Sequence, residues 1–365
     1  MFDNYLDKVL IIVLVCFISV ALIMPYIIKL GLHLGAYKEP GERDIHKGIL
    51  TRIGGVGIYA GFLLGYMLFG EPSIQMNSIL IGSIITFLMG FFDDIKPISA
   101  VSRFLGQIVA ASVIVFYGNI IIENITVFNS TFDFGIFAYP ITIFFIVACT
   151  NIINLIDGLD GLSSGICSIF FLTIGIIAFN QGQIDTLPII LTFVMLGSTL
   201  GYLLYNFHPA KTILGDAGAY FLGFIIAVIS ILGYKGTMLT SLVVPILVLA
   251  VPILDTLFAI IRRLLKGQPP FKADKEHFHH QFLKITNSQI KTVLIIYAIG
   301  ALFSVASIIY AIGDPSKGIM IYIILLLLVI LFVLHTGIIS EKMSIKVKEF
   351  EKRSLNKIKR KEKKK

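Results

Sequence analysis

Charged residues are scarce in this sequence. Only 14% of its 365 residues are Asp, Glu, Lys or Arg, whereas 56% are hydrophobic, and the mean hydropathy is +0.91. A soluble globular domain has about 25% charged residues, so this composition excludes that class. Apolar stretches long enough to cross a bilayer recur along the chain. The sequence therefore predicts a polytopic integral membrane protein.

Cysteine is also scarce, and its spacing excludes two kinds of site. Cys16, Cys149 and Cys167 all lie in or beside apolar stretches, and no Cys-x-x-Cys pair occurs. This pattern provides neither a disulfide framework nor a cysteine-based zinc site. We interpret the three cysteines as small buried hydrophobic residues.

The apolar stretches predict an all-α bundle, because lipid cannot satisfy unpaired backbone groups and a helix satisfies them internally. We expect about eleven transmembrane helices in a domain of residues 1–338, followed by a basic tail, 339–365. The first stretch lacks a small-residue cleavage site, so we interpret it as a retained span. The predicted spans are 8–32, 53–70, 76–92, 104–122, 139–156, 163–180, 186–205, 212–232, 240–262, 291–313 and 317–338.

The distribution of Lys and Arg predicts the orientation in the plasma membrane. With eleven spans and an external N-terminus, the outer face keeps only Lys8, Lys235 and Lys317 of the 30 Lys and Arg residues. Cationic residues concentrate in cytoplasmic loops, so we expect a cytoplasmic C-terminus and a cytoplasmic active site. The tail 339–365 is expected to lie disordered against anionic inner-leaflet lipid. No nucleic-acid partner is expected, and a homodimer is left open.

Four polar motifs interrupt the apolar sequence at the predicted cytoplasmic face. They are "FFDDIK" with Asp93 and Asp94, "NIINLIDGLDG" with Asn151, Asn154, Asp157 and Asp160, "KTILGDAG" with Asp216, and "DKEHFHHQF" with His277, His279 and His280. Such side chains near a bilayer are costly unless they bind something or one another. Carboxylates and amides favour Mg²⁺ or Mn²⁺, and the nearby cations favour phosphate. The motifs therefore indicate a site where a polyanionic soluble substrate meets a membrane-borne phosphate.

Each motif also has a structural interpretation. Asp93 and Asp94 precede Pro97 and could simply end a helix, and Asp216 could cap the eighth span. The histidines could hold zinc, although no cysteine accompanies them. The glycine-rich segment 54–61 follows no strand, so close helix packing explains it better than a nucleotide-binding fingerprint.

In this order and topology, the motifs resemble those of the polyprenyl-phosphate N-acetylhexosamine-1-phosphate transferase family, over about residues 40–285. The pattern "HFHH" and the early "RDIHKGILTRIGG" are similar to the WecA/TagO-type branch, which transfers GlcNAc-1-phosphate, rather than to the phospho-MurNAc-pentapeptide translocases. A membrane transporter is the rival class, but transporters place ionisable residues near the bilayer midplane. A pseudoenzyme or lipid-binding scaffold is the third interpretation, and the complete set of Asp residues disfavours it.

The resemblance implies that undecaprenyl phosphate attacks the β-phosphorus of UDP-GlcNAc, giving undecaprenyl-diphospho-GlcNAc and UMP with Mg²⁺ as cofactor. UDP-MurNAc-pentapeptide or another UDP-N-acetylhexosamine is the other donor considered. The catalytic residues that the resemblance implies are Asp93, Asp94, Asp157 and Asp216. The implied metal ligands are Asn154 and Asp216. The implied substrate-binding residues are Asn151, Asp160, Arg103, His277, His279 and His280.

The acceptor's own ionisation argues against a catalytic base. A phosphate monoester has its second pKa near ~6 and is largely dianionic at pH 7. A base would therefore contribute little, and we expect Asp93 and Asp94 to orient the acceptor instead. The chain departs from the family pattern at Thr51, Ile213 and Ala219, where relatives often carry Pro, an aromatic residue and Ser.

The orientation gives a test by thiol labelling. A cysteine placed at Arg43 or Lys275 should react with an impermeant reagent only after the membrane is opened, because both positions are expected to be cytoplasmic. A cysteine at Asn129 should react in intact cells. The reverse pattern would contradict the orientation and the cytoplasmic site.

Overall fold

The structure is a computed structural model that describes residues 2–38, 49–127, 130–182, 186–235, 243–265, 267–268 and 278–336. Helices dominate these residues, which confirms the prediction of a helical, polytopic membrane protein. His277 and the tail 339–365 lie outside the described residues. The few strands form two antiparallel pairs in connecting segments.

The described helices are α1 (Phe2–His33), α2 (Gly55–Phe69), α3 (Ile74–Ile95), α4 (Ala100–Ser112), α5 (Ala138–Ile156), α6 (Leu162–Asn180), α7 (Leu187–Asn206), α8 (Gly215–Lys235), α9 (Val243–Val248), α10 (Ala250–Leu265), α11 (Phe278–Thr286), α12 (Gln289–Ile312) and α13 (Pro315–Thr336). A π-helical turn, Val113–Tyr117, extends α4, and a 3₁₀ turn, Gly135–Phe137, precedes α5. The strands are β1 (Tyr37–Lys38), β2 (Leu50–Thr51), β3 (Asn124–Val127) and β4 (Ser130–Asp133).

Within the described ranges, nine helical segments are long and apolar enough to cross a membrane. Two of the eleven predicted spans differ from this set. The stretch 53–70 forms α2, whose 15 residues extend about 22 Å and fall short of a hydrocarbon core of about 30 Å. The stretch 240–262 is divided between α9 and α10. Hydropathy alone does not register where a helix ends, so the count of eleven stays a prediction.

Helix α8 lies at the centre of the bundle, where α2, α3, α5 and α7 pack against it. Small residues allow this close approach. A Cβ at Gly90 of α3 would lie 2.4 Å from the backbone nitrogen of Ala217. A Cβ at Gly55 of α2 would lie 2.3 Å from Gly218. The packing therefore holds the first turn of α8 directly beside the ends of α2 and α3.

The segment before α2 fixes the same turn through hydrogen bonds. The Thr51 carbonyl oxygen accepts from the Ile213 N–H at 2.9 Å, and the two threonine hydroxyls of Thr51 and Thr212 meet at 2.8 Å. Gly55 N donates to the Leu214 carbonyl oxygen at 2.8 Å. Thr51 thus supplies a buried hydroxyl contact that Pro could not. These bonds bring Arg52 to the N-terminus of α8.

Candidate functional site

Three of the predicted carboxylates meet where α3 ends and α8 begins. Asp93 and Asp94 occupy the last turn of α3, and Asp216 occupies the first turn of α8. We call these three residues the carboxylate cluster. Asn154, in the last turn of α5, donates from Nδ2 to Asp216 Oδ1 at 3.2 Å. The structure thus brings together three of the four sequence motifs, the first and third of which are more than a hundred residues apart.

Asp94 caps the N-terminus of α8 with both of its carboxylate oxygens. Oδ1 accepts from the Asp216 N–H at 2.9 Å, and Oδ2 accepts from the Ala217 N–H at 3.0 Å. The first N–H groups of a helix have no intrahelical partner, and their partial positive charge favours a carboxylate. The side chain of Asp94 is fully buried. We therefore interpret Asp94 as a positioning residue for Asp216, because both of its oxygens hold the α8 backbone.

Gly215 makes room for this capping contact. Its φ of +74° lies in the left-handed region that favours glycine. A Cβ there would lie 1.8 Å from the Arg52 carbonyl oxygen and 2.5 Å from Asp94 Oδ2. Asp216 itself lies inside the first turn of α8. The capping function that the sequence left open for Asp216 is therefore performed by Asp94.

Asp93 has several partners. Its Oδ1 accepts from the Ile98 N–H at 2.7 Å, which confirms a role in the turn after α3. Its Oδ2 accepts from Arg103 Nη1 at 2.8 Å. The carboxyl groups of Asp93 and Asp216 are also within hydrogen-bonding distance of each other. A carboxylate paired with a guanidinium in this way is a poor base, which agrees with the expected orienting role.

Arg52 and Arg103 place two guanidinium groups beside the carboxylate cluster. Arg52 Nη2 lies 3.8 Å from both Asp94 Oδ1 and Asp216 Oδ2, an ion-pair distance rather than a hydrogen bond. About a third of each arginine side chain is exposed, so both charges can reach a soluble anion. Sequence reasoning identified Arg103 but missed Arg52. The position of Arg52 depends on the hydrogen bonds of Thr51 with Thr212 and Ile213, which are far away in the sequence and which no local pattern predicts.

The donor atoms beside Asp216 fit a hard divalent cation. Mg²⁺ usually takes one or two carboxylates and completes its shell with water and phosphate oxygens. Asp216, Asp93 and Asn154 offer two carboxylates and an amide within contact of one another. In the part of the chain that the structure describes, no three His, Cys, Asp or Glu side chains close around one point as a complete metal cage. The set therefore suits a metal that also needs substrate oxygens.

Asn151 lies one turn deeper on α5 than Asn154 and serves a different contact. Its Nδ2 donates to Gln107 Oε1 at 2.6 Å and to the Val147 carbonyl oxygen at 2.8 Å. Gln107 is buried in α4. The two asparagines of the second motif thus make different contacts, Asn151 with α4 and Asn154 with Asp216. Sequence reasoning missed Gln107.

The turn 157–161 carries the second group of predicted residues. Helix α5 ends at Ile156, and Gly161, with a φ of +77°, begins the approach to α6. Asp157 Oδ1 accepts from Ser163 Oγ at 2.5 Å. Burial raises the pKa of Asp157 to about 6, the Ser163 hydrogen bond opposes this rise, and the charge of Asp160 adds to it. Asp157 therefore titrates closer to neutral pH than an ordinary carboxyl group.

Asp160 joins this turn to the segment that leads into α8. Its Oδ2 lies 2.8 Å from His208 Nδ1 and accepts from the Ala210 N–H at 3.2 Å. Asn206 Oδ1 accepts from the Gly161 N–H at 3.1 Å, while its Nδ2 donates to the Thr212 carbonyl oxygen at 3.0 Å. Sequence reasoning missed Asn206 and His208, although "NFHP" does stand at the end of a predicted span.

Asn206 of α7 connects the two groups. It bonds to Gly161 of the turn and to Thr212, whose hydroxyl donates to the Thr51 carbonyl oxygen at 3.0 Å, next to Arg52. The carboxylate cluster and the turn 157–161 therefore belong to one site.

The histidine motif reaches the same turn. His279, on α11, is buried, and a Cβ at Gly158 would lie 2.3 Å from its Nε2. The rings of His279 and His280 lie 4.4 Å apart between centroids. His277 is not among the described residues. Of the predicted histidines, the structure therefore places His279 directly against the turn that carries Asp157.

Comparisons with known proteins identify the class. A sequence profile for glycosyl transferase family 4 matches residues 76–234, which contain the carboxylate cluster and the turn 157–161. A Bacillus subtilis (strain 168) protein named "Probable undecaprenyl-phosphate N-acetylglucosaminyl 1-phosphate transferase" is 38% identical over 345 residues, covering 94% of this chain and 96% of the relative. This chain therefore belongs to glycosyl transferase family 4.

Two further relatives indicate which branch of the family this chain resembles. The Mycolicibacterium smegmatis "Decaprenyl-phosphate N-acetylglucosaminephosphotransferase" is 31% identical over 324 residues, covering 80% of this chain and 79% of the relative. The Escherichia coli (strain K12) "Undecaprenyl-phosphate alpha-N-acetylglucosaminyl 1-phosphate transferase" is 28% identical over 354 residues, covering 94% of each chain. The resemblance to the WecA/TagO-type branch is confirmed.

The capping role of Asp94 predicts a loss of stability in Asp94→Asn. An amide has one acceptor oxygen, so its NH₂ group would face the N–H of Asp216 or Ala217 and leave it unsatisfied, at about 1–3 kcal/mol. The melting temperature of the purified protein should fall by several degrees and turnover should fall with it. Asp314→Asn, an exposed change, is the control. An unchanged melting temperature in Asp94→Asn would contradict the capping role.

The raised pKa of Asp157 predicts a pH-dependent effect on stability. Between pH ~4 and pH 6, the folded carboxyl binds a proton that the unfolded carboxyl has released. Relative to Asp157→Asn, the native protein should therefore lose stability as pH rises from about 4 to about 6, and change little above that. Melting temperatures at pH 4.5 and 7.5 measure this difference.

Ser163→Ala provides the matched variant for that measurement, because it removes a hydrogen bond to the ionised carboxylate. In Ser163→Ala the upper limit of the pH window should move to higher pH, because the pKa of the folded Asp157 rises while that of the unfolded carboxyl does not change. A native-minus-variant difference that stays constant between the two pH values would show that burial does not hold the Asp157 proton.

Proposed function

We propose that this protein transfers GlcNAc-1-phosphate from UDP-GlcNAc to undecaprenyl phosphate, giving undecaprenyl-diphospho-GlcNAc and UMP. The names of the relatives from Bacillus subtilis and Escherichia coli support this reaction. The observation that carries it is the carboxylate cluster, flanked by Arg52 and Arg103 at the helix ends of a membrane protein. Such a site can bring a soluble diphosphate and a lipid phosphate together and stabilise the charge on both.

Mg²⁺, which Mn²⁺ could replace, is the proposed cofactor, and Asn154 and Asp216 are the proposed ligands. Their side chains lie together, with Asn154 Nδ2 3.2 Å from Asp216 Oδ1, and carboxylate and amide groups carry the oxygen atoms that a hard cation prefers, which supports this assignment. The metal would supply positive charge to the donor diphosphate. Asp94 contributes by holding the Asp216 backbone, because its two hydrogen bonds determine where the first turn of α8 begins.

The arginines and Asp93 are proposed to arrange the phosphates. Arg103 would bind phosphate while Asp93 orients its guanidinium through the 2.8 Å contact. Arg52 provides a second cation, with Nη2 3.8 Å from Asp216 Oδ2. Because the acceptor phosphate is already largely dianionic near neutral pH, with a pKa near ~6, no residue needs to remove its proton. The residues mainly reduce repulsion between two anions and align them for in-line attack.

The remaining predicted residues are proposed to recognise the donor. Asn151, Asp157, Asp160, His277, His279 and His280 form this set. The hydrogen bonds of Asp157 with Ser163 and of Asp160 with Ala210 support a rigid turn, which would present the sugar and uridine contacts at constant geometry.

The orientation of the site is also proposed. Eleven spans, an external N-terminus and a cytoplasmic C-terminus would place the four motifs on the cytoplasmic face of the plasma membrane, where UDP-sugars are made. The Lys and Arg distribution supports this topology. The basic tail 339–365 would lie on anionic inner-leaflet lipid. No nucleic acid takes part, and whether two copies associate as a homodimer is left open.

Other functions receive less support. A transporter would hold its ionisable residues near the middle of broken helices, whereas Asp93, Asn154 and Asp216 lie in terminal turns. The alternative to UDP-GlcNAc as the donor is UDP-MurNAc-pentapeptide or another UDP-N-acetylhexosamine. The names of the relatives favour GlcNAc.

The product distinguishes phosphosugar transfer from plain glycosyl transfer. Purified protein with undecaprenyl phosphate, Mg²⁺ and UDP-GlcNAc should release UMP, and excess UMP should regenerate UDP-GlcNAc, because one pyrophosphate bond replaces another. Chromatography of nucleotides and lipids measures both. Release of UDP would contradict the mechanism, and turnover with UDP-MurNAc-pentapeptide instead of UDP-GlcNAc would contradict the donor.

A further inference from the structure

Asp255 is a buried carboxylate that belongs to none of the four motifs. It lies on α10 with 5% of its surface exposed. Its Oδ2 lies 3.4 Å from His279 Nδ1, the separation of an ion pair rather than of a well-aligned hydrogen bond. Both side chains are more than nine-tenths buried. A carboxylate withdrawn from water in this way is costly unless a partner compensates it.

One side of the Asp255–His279 pair faces apolar residues. Asp255 and His279 border a small pocket whose other lining residues are Ile156, Leu162, Val251, Pro252 and Ile296. Charge interactions are stronger in such surroundings than in water. A carboxylate facing Nδ1 favours the proton on that nitrogen, which fixes the plane of the ring and the direction of Nε2.

The opposite edge of the His279 ring touches the turn that carries Asp157. A Cβ at Gly158 would lie 2.3 Å from Nε2, so only a glycine fits against the ring. His279 is therefore wedged between Asp255 on α10 and Gly158, one residue from Asp157. With 3% of its side chain exposed, it has little surface with which to contact a soluble donor directly.

We propose that Asp255 is a positioning residue for the donor half of the site. Asp255 holds the His279 ring against Gly158, and the ring in turn holds the turn 157–161 in place. His279 thus acts on the donor through the turn. The expected effect on the KM for UDP-GlcNAc rests on the proposed function. The statement that Asp255 and His279 hold the turn 157–161 does not depend on it.

Two replacements at Asp255 separate its chemistry from its volume. Asp255→Asn keeps an oxygen that can face Nδ1, whereas Asp255→Leu keeps a similar size and removes the acceptor. We expect Asp255→Leu to raise the KM for UDP-GlcNAc by about tenfold or more, since small displacements of binding groups are costly. Its KM for undecaprenyl phosphate should change less than twofold, and Asp255→Asn should recover most of the loss. Equal effects on both KM values, or none, would overturn the proposal.

Gly158→Ala tests the other edge of the ring, because its methyl group would push against Nε2. It should raise the same donor KM, and the double variant with Asp255→Leu should be no worse than about the more severe single variant, as expected for coupled sites. Thr256→Val, next to Asp255 on α10, is the control and should leave both KM values unchanged. Fully multiplicative effects would show that the two contacts are independent and would contradict the proposal.

Amide hydrogen exchange provides a readout that needs no substrate. Peptides covering 157–165 should exchange faster in Asp255→Leu than in the native protein and in Thr256→Val, because the turn would open more often. Unchanged exchange would overturn the proposal whatever the donor is. If Asp255→Leu exchanges faster but the native protein does not turn over UDP-GlcNAc, the two claims separate. The exchange result would support the positioning role of Asp255, and the missing turnover would contradict the proposed function.

Discussion

The pair of hydrogen bonds from the α8 backbone to Asp94 is the contact on which the rest of the site depends. Asp94 belongs to α3, and the N–H groups it accepts from belong to Asp216 and Ala217. The bonds therefore determine where the central helix begins relative to its neighbour. Gly90 and Gly215 leave the space that this arrangement requires. Once the turn is fixed, Asp216 can meet Asp93 and Asn154.

The remaining polar contacts extend this constraint across the helix ends. Thr51 and Asn206 tie the segment before α8 to two other segments, and Asp160 does the same through Ala210. A site built this way is organised before any ligand arrives, so little reorganisation accompanies binding. Arg52 and Arg103 are partly exposed at the edge of this rigid site, so a soluble anion can reach their guanidinium groups.

The sequence predicted those site residues that stand out from their immediate neighbours in the chain. Asp93, Asn154, Asp157 and Asp216 could be recognised because polar residues are expensive beside a bilayer. The partner of Asp94 could not be predicted, since its hydrogen bonds connect residues far apart in the chain. Arg52, Asn206, His208 and Asp255 escaped notice for the same reason. Hydropathy predicted the long apolar helices in the part of the chain that the structure describes. It did not predict that α2 is only 15 residues long or that α9 and α10 divide one stretch.

The central claim is that Asp216 holds a divalent cation on the donor diphosphate, and Asp216→Asn tests it most directly. The change keeps the shape and an oxygen that can accept from Asn154, but removes the charge that a hard cation needs. Turnover measured across a Mg²⁺ titration should fall by roughly 10²-fold or more, with weaker apparent Mg²⁺ affinity and a melting temperature near the native value. A folded variant with a near-native rate and unchanged Mg²⁺ dependence would contradict the account.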